Sequence, residues 1–269
     1  MKRIPLTELV LAWLAPLFVL AVLASGPIMA AESAEAVGQE APETRRILII
    51  TGEDYHGHRW QETAPVLQAE LAQHPQLEVE VLSELGEMAD TSLADYDAVV
   101  LHFKNYDPEV PGRQAFDNLV EYVRGGGGLM LVHFACGAFE EFKAEYLELA
   151  GRVWFGATPP PGKRQHDPHG RFTVNITDVP HPITRGLEDF EIADELYTCL
   201  EGELPITVLA TAVSRVDGQT YPMAFIHQYG EGRVFHSVLG HDNIAFRNPG
   251  AAELHRRGAA WVARTNPED

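Results

Sequence analysis

Histidines at predicted strand ends are the residues of this sequence best placed to do chemistry. His133 closes the run "GGGGLMLVHFACGAF" (125–139), where an apolar strand breaks into a small-residue turn. A side chain at such a break is held exposed at the top of the sheet, and the N–H groups of the next turn can polarise an anionic oxygen. Imidazole there can act as a general base or a metal ligand, and both roles need it neutral. A histidine that merely caps the strand end is the structural alternative. His241, in "LGHD", follows another apolar strand, with Gly240 allowing a tight bend before it. It can pair with His133 or share a metal with it. "IADELYT" (192–198) sets Asp194 and Glu195 in an apolar, strand-like run. Adjacent strand residues face opposite ways, so at most one of the two enters a given pocket. Glu195 is the candidate to bind a metal, orient a histidine or accept a proton. His133, Glu195 and His241 are therefore the expected catalytic residues. With a water they would also make an open site for a divalent metal such as zinc. No HExxH-type spacing links them.

Other segments could line the same cleft. "TGEDYHGHRW" (51–60) offers His56, His58 and Trp60 after the first strand, and His102 ends the third. "RQHDPHG" (164–170) brings His166 on a long loop of the kind that often closes over a ligand. His58, Trp60, His166 and Asp194 are the expected substrate-binding residues. His181, in "HPITRGL", reads as turn chemistry, and His236 fits a core strand as well as a site.

These residues need a scaffold, and the alternation of elements supplies one. "RRILIITG", "LEVEVLSEL", "DYDAVVLHF" and "GLMLVHF" read as strands, separated by helical stretches "WQETAPVLQAELAQH" and "PGRQAFDNLVEYVRGGGG". A third helix is expected over "GAFEEFKAEYLELAG". Such β-α alternation predicts a mainly parallel sheet with helices on both faces. After Gly151 strands dominate: "RFTVNITD", "FEIADELYTCL", "ITVLATAV" and a hairpin turning at Gly230-Glu231-Gly232. They predict an antiparallel C-terminal addition, followed by a last helix over 249–264.

The 269 residues carry 20 Lys and Arg against 39 Asp and Glu, a formal charge of −19. With no basic patch, nucleic acid is excluded as an expected partner. Lys2 and Arg3, the apolar run "LVLAWLAPLFVLAVL" (9–23) and the small residues after it read as a signal peptide over 1–31. The run is short for a membrane span and contains Pro16, so cleavage is favoured over an anchor. Export to the periplasm or extracellular space is expected, with no membrane attachment after cleavage. Residues 32–44 read as a disordered linker and 45–265 as the folded domain. The chain's two cysteines, Cys136 and Cys199, read as buried thiols rather than a bridge.

The ordered blocks "ILIITGEDYHGHRW", "YDAVVL", "GGGGLMLVHFACGAF", "YLELAGRVW", "HPITRGLEDFEIADELYT" and "YGEGRVFHSVLGHD" resemble the ThuA-like (trehalose utilisation) family from about Arg45 to Ala263. That family is similar in fold to class I glutamine amidotransferases, which implies a flavodoxin-like, doubly wound α/β sheet. Amidotransferases carry a Cys at the strand-end elbow. Here His133 takes that place and Cys136 falls out of position, so a Cys-dependent glutaminase is not implied. The resemblance implies carbohydrate catabolism: an enzyme on glycosides or 3-keto-sugar derivatives, with a small-molecule sugar as partner. A non-catalytic sugar-binding or accessory module is the alternative. It predicts a cleft of aromatics such as Trp60, Trp154, Phe155 and Tyr197, without converging histidines. Oligomeric state stays open, a homo-oligomer included.

Overall fold

A computed structural model of the chain describes residues 43–53, 57–154, 156, 158–159, 161–162 and 164–269. The signal-peptide reading, the linker up to residue 42, His56 and Phe155 lie outside the described residues. The strands are β1 (Arg45–Ile50), β2 (Leu77–Leu82), β3 (Ala98–Leu101), β4 (Gly128–Val132), β5 (Val153–Trp154), β6 (Gly170–Ile176), β7 (Phe190–Asp194), β8 (Leu200–Glu201), β9 (Thr207–Val213), β10 (Thr220–Tyr229) and β11 (Gly232–Ser237). The helices are α1 (Trp60–Leu71), α2 (Gly112–Arg124), α3 (Lys143–Ala150), α4 (Asn243–Phe246) and α5 (Pro249–Val262).

Among the described residues, nine strands form one sheet in the order β2-β1-β3-β4-β11-β10-β9-β6-β7. The half from β2 to β11 is parallel, and β10, β9, β6 and β7 extend it antiparallel. This is a mixed α/β sheet, parallel at its core with the antiparallel addition expected. The hairpin's second arm, β11, joins the parallel half against β4. Alternation along β1 explains the two layers. Ile47 and Ile49 pack into one core with Leu67, Leu71 and Leu254, whereas Leu48 and Ile50 pack into the other with Phe116, Leu119 and Tyr146. Helix α2 buries Ala115, Phe116, Leu119 and Val123, a single stripe at helical spacing. Each large side chain sealed there contributes roughly 1.5–3 kcal/mol. Helix α5 starts cleanly because Asn248 accepts the N–H groups of Gly250 and Ala251 and Pro249 takes the first turn. No helix among the described residues is long and apolar enough to cross a membrane.

Two segments differ from the sequence reading. The helix expected over 137–151 forms only from Lys143. Two 3-10 turns precede it, and the backbone turns left-handed at His133 (φ 49°) and Phe139 (φ 52°). The strand expected over "FEIADELYTCL" stops at Asp194, whose carboxylate takes the backbone N–H groups of Glu195, Gly240 and His241 and draws the chain out of the ladder.

His102, His236 and His255 are buried in the layers. His102 lies between the hydroxyls of Thr51 and Thr63, His255 bonds Ser237, and His236 packs on Phe225. Burial pushes each down from 6.5 to about 3. Above pH 6.5 neither folded nor unfolded chain protonates them. Below it the unfolded chain gains protons that the folded chain refuses. Stability is therefore expected to fall as the pH drops from about 6.5 towards 3, by up to ~1.4 kcal/mol per pH unit for each of these imidazoles. Urea midpoints measured from pH 7 to pH 4 check this; a midpoint unchanged across that window would refute it.

Candidate functional site

The loops that follow β1, β3, β4 and β11 surround one cavity of about 400 Å³, and its lining includes His58, Lys104, Phe134, Glu195, Tyr197 and His241. This is the carboxyl edge of the parallel strands, where open α/β sheets bind ligands.

His133 follows β4 directly, in the left-handed conformation that few non-glycine residues adopt. The sequence reading held it exposed at the sheet top. It is instead fully buried, close to the rings of Tyr197, His58 and Phe134. Its Nδ1 lies 2.7 Å from the Val238 carbonyl oxygen, which can only accept, so Nδ1 carries the proton. Nε2 then presents its lone pair 3.0 Å from the Tyr197 hydroxyl and 3.7 Å from Glu195 Oε2. A carbonyl that fixes the tautomer in this way also strengthens the far nitrogen as a base or ligand.

Glu195 sits among three imidazoles. Its Oε2 is 3.2 Å from His241 Nδ1, and its Oε1 is 3.6 Å from His166 Nδ1. Burial alone pushes the carboxyl up, but His133 and His241 outweigh it and hold the group well below the usual carboxylate range. Glu195 is thus an anion at neutral pH. Burial lowers His241, but the adjoining Glu195, with Asp194 and Asp242 behind it, outweighs this and raises it above its ordinary value. His58 lies flat on Phe134, with ring centroids 4.4 Å apart, and edge-on to His133 and His241 at 5.0 and 5.2 Å. Burial, reinforced by the two neighbouring imidazoles, drives it down to about 2, so it stays neutral.

The cluster is positioned from beneath. Asp194 is fully buried, and its Oδ1 accepts from the backbone N–H groups of Glu195 (2.8 Å) and His241 (3.1 Å), its Oδ2 from that of Gly240 (2.8 Å). One carboxylate therefore ties the β7 end to the β11 end and aims both functional side chains. Gly240 is required at this join. Its φ is +123°, and a Cβ would meet the Phe246 ring at 2.6 Å.

The expected residues divide accordingly. His58, Glu195 and His241 line the cavity with His166, and His133 lies against them. Asp194, expected to touch substrate, is sealed under the loops because backbone amides occupy its carboxylate. Trp60, expected in the cleft, starts α1 and is not part of the lining. The 164–170 segment is held down rather than free. His166 bridges Tyr197, and the Asp167 carboxylate bonds Ser214 and the Arg215 amide. Both thiols are free and buried in the cavity wall. Burial, with Cys136 beside it, pushes Cys199 far up, which suits no nucleophile. Phe134 and Lys104 escaped the sequence reading. Lys104 closes "LHFK" in the loop just past β3, on the same edge of the sheet as His133, and that position was the available signal.

The donor set suits a divalent cation. One ligand atom from each of His58, His133, Glu195 and His241 lies within 4.8 Å of the others. Three imidazoles with one carboxylate match zinc and related first-row ions, His241 giving up its proton when such an ion binds.

Comparison with known proteins agrees with this architecture. The family model described as ThuA, trehalose utilisation, matches residues 46–262. A ThuA-like protein from Parabacteroides merdae ATCC 43184 is 26% identical, with a TM-score of 0.71 over 82% of this chain and 90% of its own. A ThuA-like protein from Bacteroides uniformis ATCC 8492 is 16% identical, with a TM-score of 0.63 over 86% and 98%. A cytoplasmic protein from Salmonella typhimurium LT2, 16% identical, shares the fold with a TM-score of 0.57 over 81% and 99%. No curated protein matches the chain in sequence.

Proposed function

The chain belongs to the ThuA (trehalose utilisation) family, and from that premise we propose that it is an exported enzyme of carbohydrate catabolism acting on glycosides oxidised to 3-keto-sugars. The observation that carries this reading is the convergence of His58, His133, Glu195 and His241 at one cavity on the carboxyl edge of the sheet. A non-catalytic sugar-binding module predicts instead a cleft of aromatics without converging histidines. The family supports the sugar, and the apolar, basic-started N-terminus supports export.

The chemistry that fits is proton transfer next to a carbonyl. The Tyr197 hydroxyl, which lines the cavity, passes its proton to His133 Nε2 at 3.0 Å as it takes the proton from the carbon beside the ketone. The C–H electron pair moves into the enolate, and His241, whose protonated form the adjoining Glu195 favours, donates to the oxygen that gains charge. Glu195 holds that cation in place and Tyr197 fixes the His133 ring. His133, His58, His241 and Glu195 would hold a divalent ion; when bound, such an ion supplies polarisation of a carbonyl oxygen.

The deciding experiment incubates the purified protein with trehalose, methyl glucoside and their 3-keto derivatives. Turnover of the keto forms is expected, and none of the unoxidised sugars. Inertness towards every keto-glycoside would overturn the reading. For the metal, chelator-treated protein titrated with zinc is expected to take one equivalent. A hundredfold excess over Kd should raise stability by about 2.7 kcal/mol. If neither uptake nor a melting shift is seen, the metal is removed from the proposal and the acid-base pair stands alone.

A further inference from the structure

We infer that Lys104 and Glu140 form a charge-neutral subsite that selects uncharged sugars over uronates; this rests on the carbohydrate reading of the cavity. Both residues line the cavity along with Trp154 and Gly137. The Lys104 side chain is only 10% exposed, which is costly for an ammonium group. Its Nζ donates to Glu140 Oε2 at 2.9 Å and lies 3.6 Å from the centroid of the Trp154 ring. Carboxylate and indole face together hold the cation. The turn after β4 leaves room for this arrangement. A Cβ at Gly137 would lie 3.1 Å from Lys104 Cδ and 3.3 Å from Trp154 Cε3.

A lysine pinned in this way keeps N–H capacity to spare, and Glu140 keeps a second oxygen. The cavity wall therefore offers one donor beside one acceptor. That pattern matches neighbouring hydroxyls of a sugar ring, each of which can both give and accept a hydrogen bond. It matches an anionic sugar poorly. The charge of Lys104 is already neutralised by Glu140, and the free oxygen of Glu140 would face a second carboxylate.

Methyl glucoside and methyl glucuronide form the matched probes, since they differ only in the oxidation of one carbon. Binding of each is measured by calorimetry, and kcat/KM is measured on their 3-keto derivatives. The wild-type protein should prefer the neutral sugar. Glu140→Gln removes one charge from a half-exposed position and should fold normally. It should cut the neutral-over-anionic ratio at least tenfold, with glucuronide affinity gained outright. Lys104→Met should weaken both sugars and give no gain for glucuronide. A merely structural ion pair would not move selectivity towards an anion. Keto-glucoside turnover with an unchanged ratio in Glu140→Gln would overturn the subsite and leave the enzyme reading intact. A wild-type protein that neither binds nor converts any of these sugars would overturn both.

Discussion

Glu195→Gln is expected to lower kcat on a 3-keto-glycoside by about 10²–10⁴-fold, the range general acid catalysis supplies, because His241 loses the charge that makes it a proton donor, and to abolish tight zinc uptake. The carboxylate is the negative centre of the cluster, 3.2 Å from His241, 3.6 Å from His166 and 3.7 Å from His133. A neutral amide of the same shape leaves His241 without the charge that favours its protonated form. It also leaves the metal site without its anionic ligand. Folding should survive, because the substitution is isosteric and removes no apolar contact. His133→Asn is the companion variant. Asparagine tolerates the left-handed backbone at this position, whereas alanine would add strain to the loss of the ring. Circular dichroism, zinc stoichiometry and steady-state rates check both variants. Wild-type kcat in either one would remove the cluster from the chemistry.

Asp194→Asn should cost both stability and activity, although the residue touches no part of the cavity. Both carboxylate oxygens are acceptors for backbone N–H groups. An amide supplies one acceptor and one donor, so an N–H group faces either Gly240 or the Glu195/His241 pair. An unmet buried donor, together with the lost charge assistance, costs about 3 kcal/mol. In a domain of this size that lowers Tm by ~5–10 °C. Activity should fall at temperatures where the variant is still folded, because the loops that aim Glu195 and His241 part from each other. Weakened zinc affinity in the folded variant would separate this positioning effect from simple instability. A variant with normal Tm and normal kcat would show that the amides find other partners.

Much of the scaffold was legible because each parallel strand is a continuous apolar run and each helix carries a stripe. Val99 and Val100 are buried on opposite faces of the sheet, and "AVVL" has no other sensible place. His133, Glu195 and His241 were legible because chemistry gathers where such runs end. What sequence spacing hides is direction. Asp194 and Glu195 are neighbours with the same charge, yet one is spent on backbone amides and the other faces three imidazoles. Only the tertiary meeting of β7 and β11 decides which. Lys104 was hidden for a similar reason: its burial depends on Trp154 and Gly137, remote in sequence. The shortened α3 was hidden because helix-forming residues such as Glu140 and Glu141 are overridden by the left-handed turns at His133 and Phe139.

The placement of β11 between β4 and β10 has a consequence for biogenesis. Until the polypeptide has emerged past Ser237, the growing sheet keeps an open gap at its centre, with β4 offering unpaired amides and carbonyls to any passing strand. Closure of that gap also delivers His241 to its partners. Nascent or prematurely terminated molecules therefore combine a sticky seam with an inert centre, and both defects end in the same zipping event.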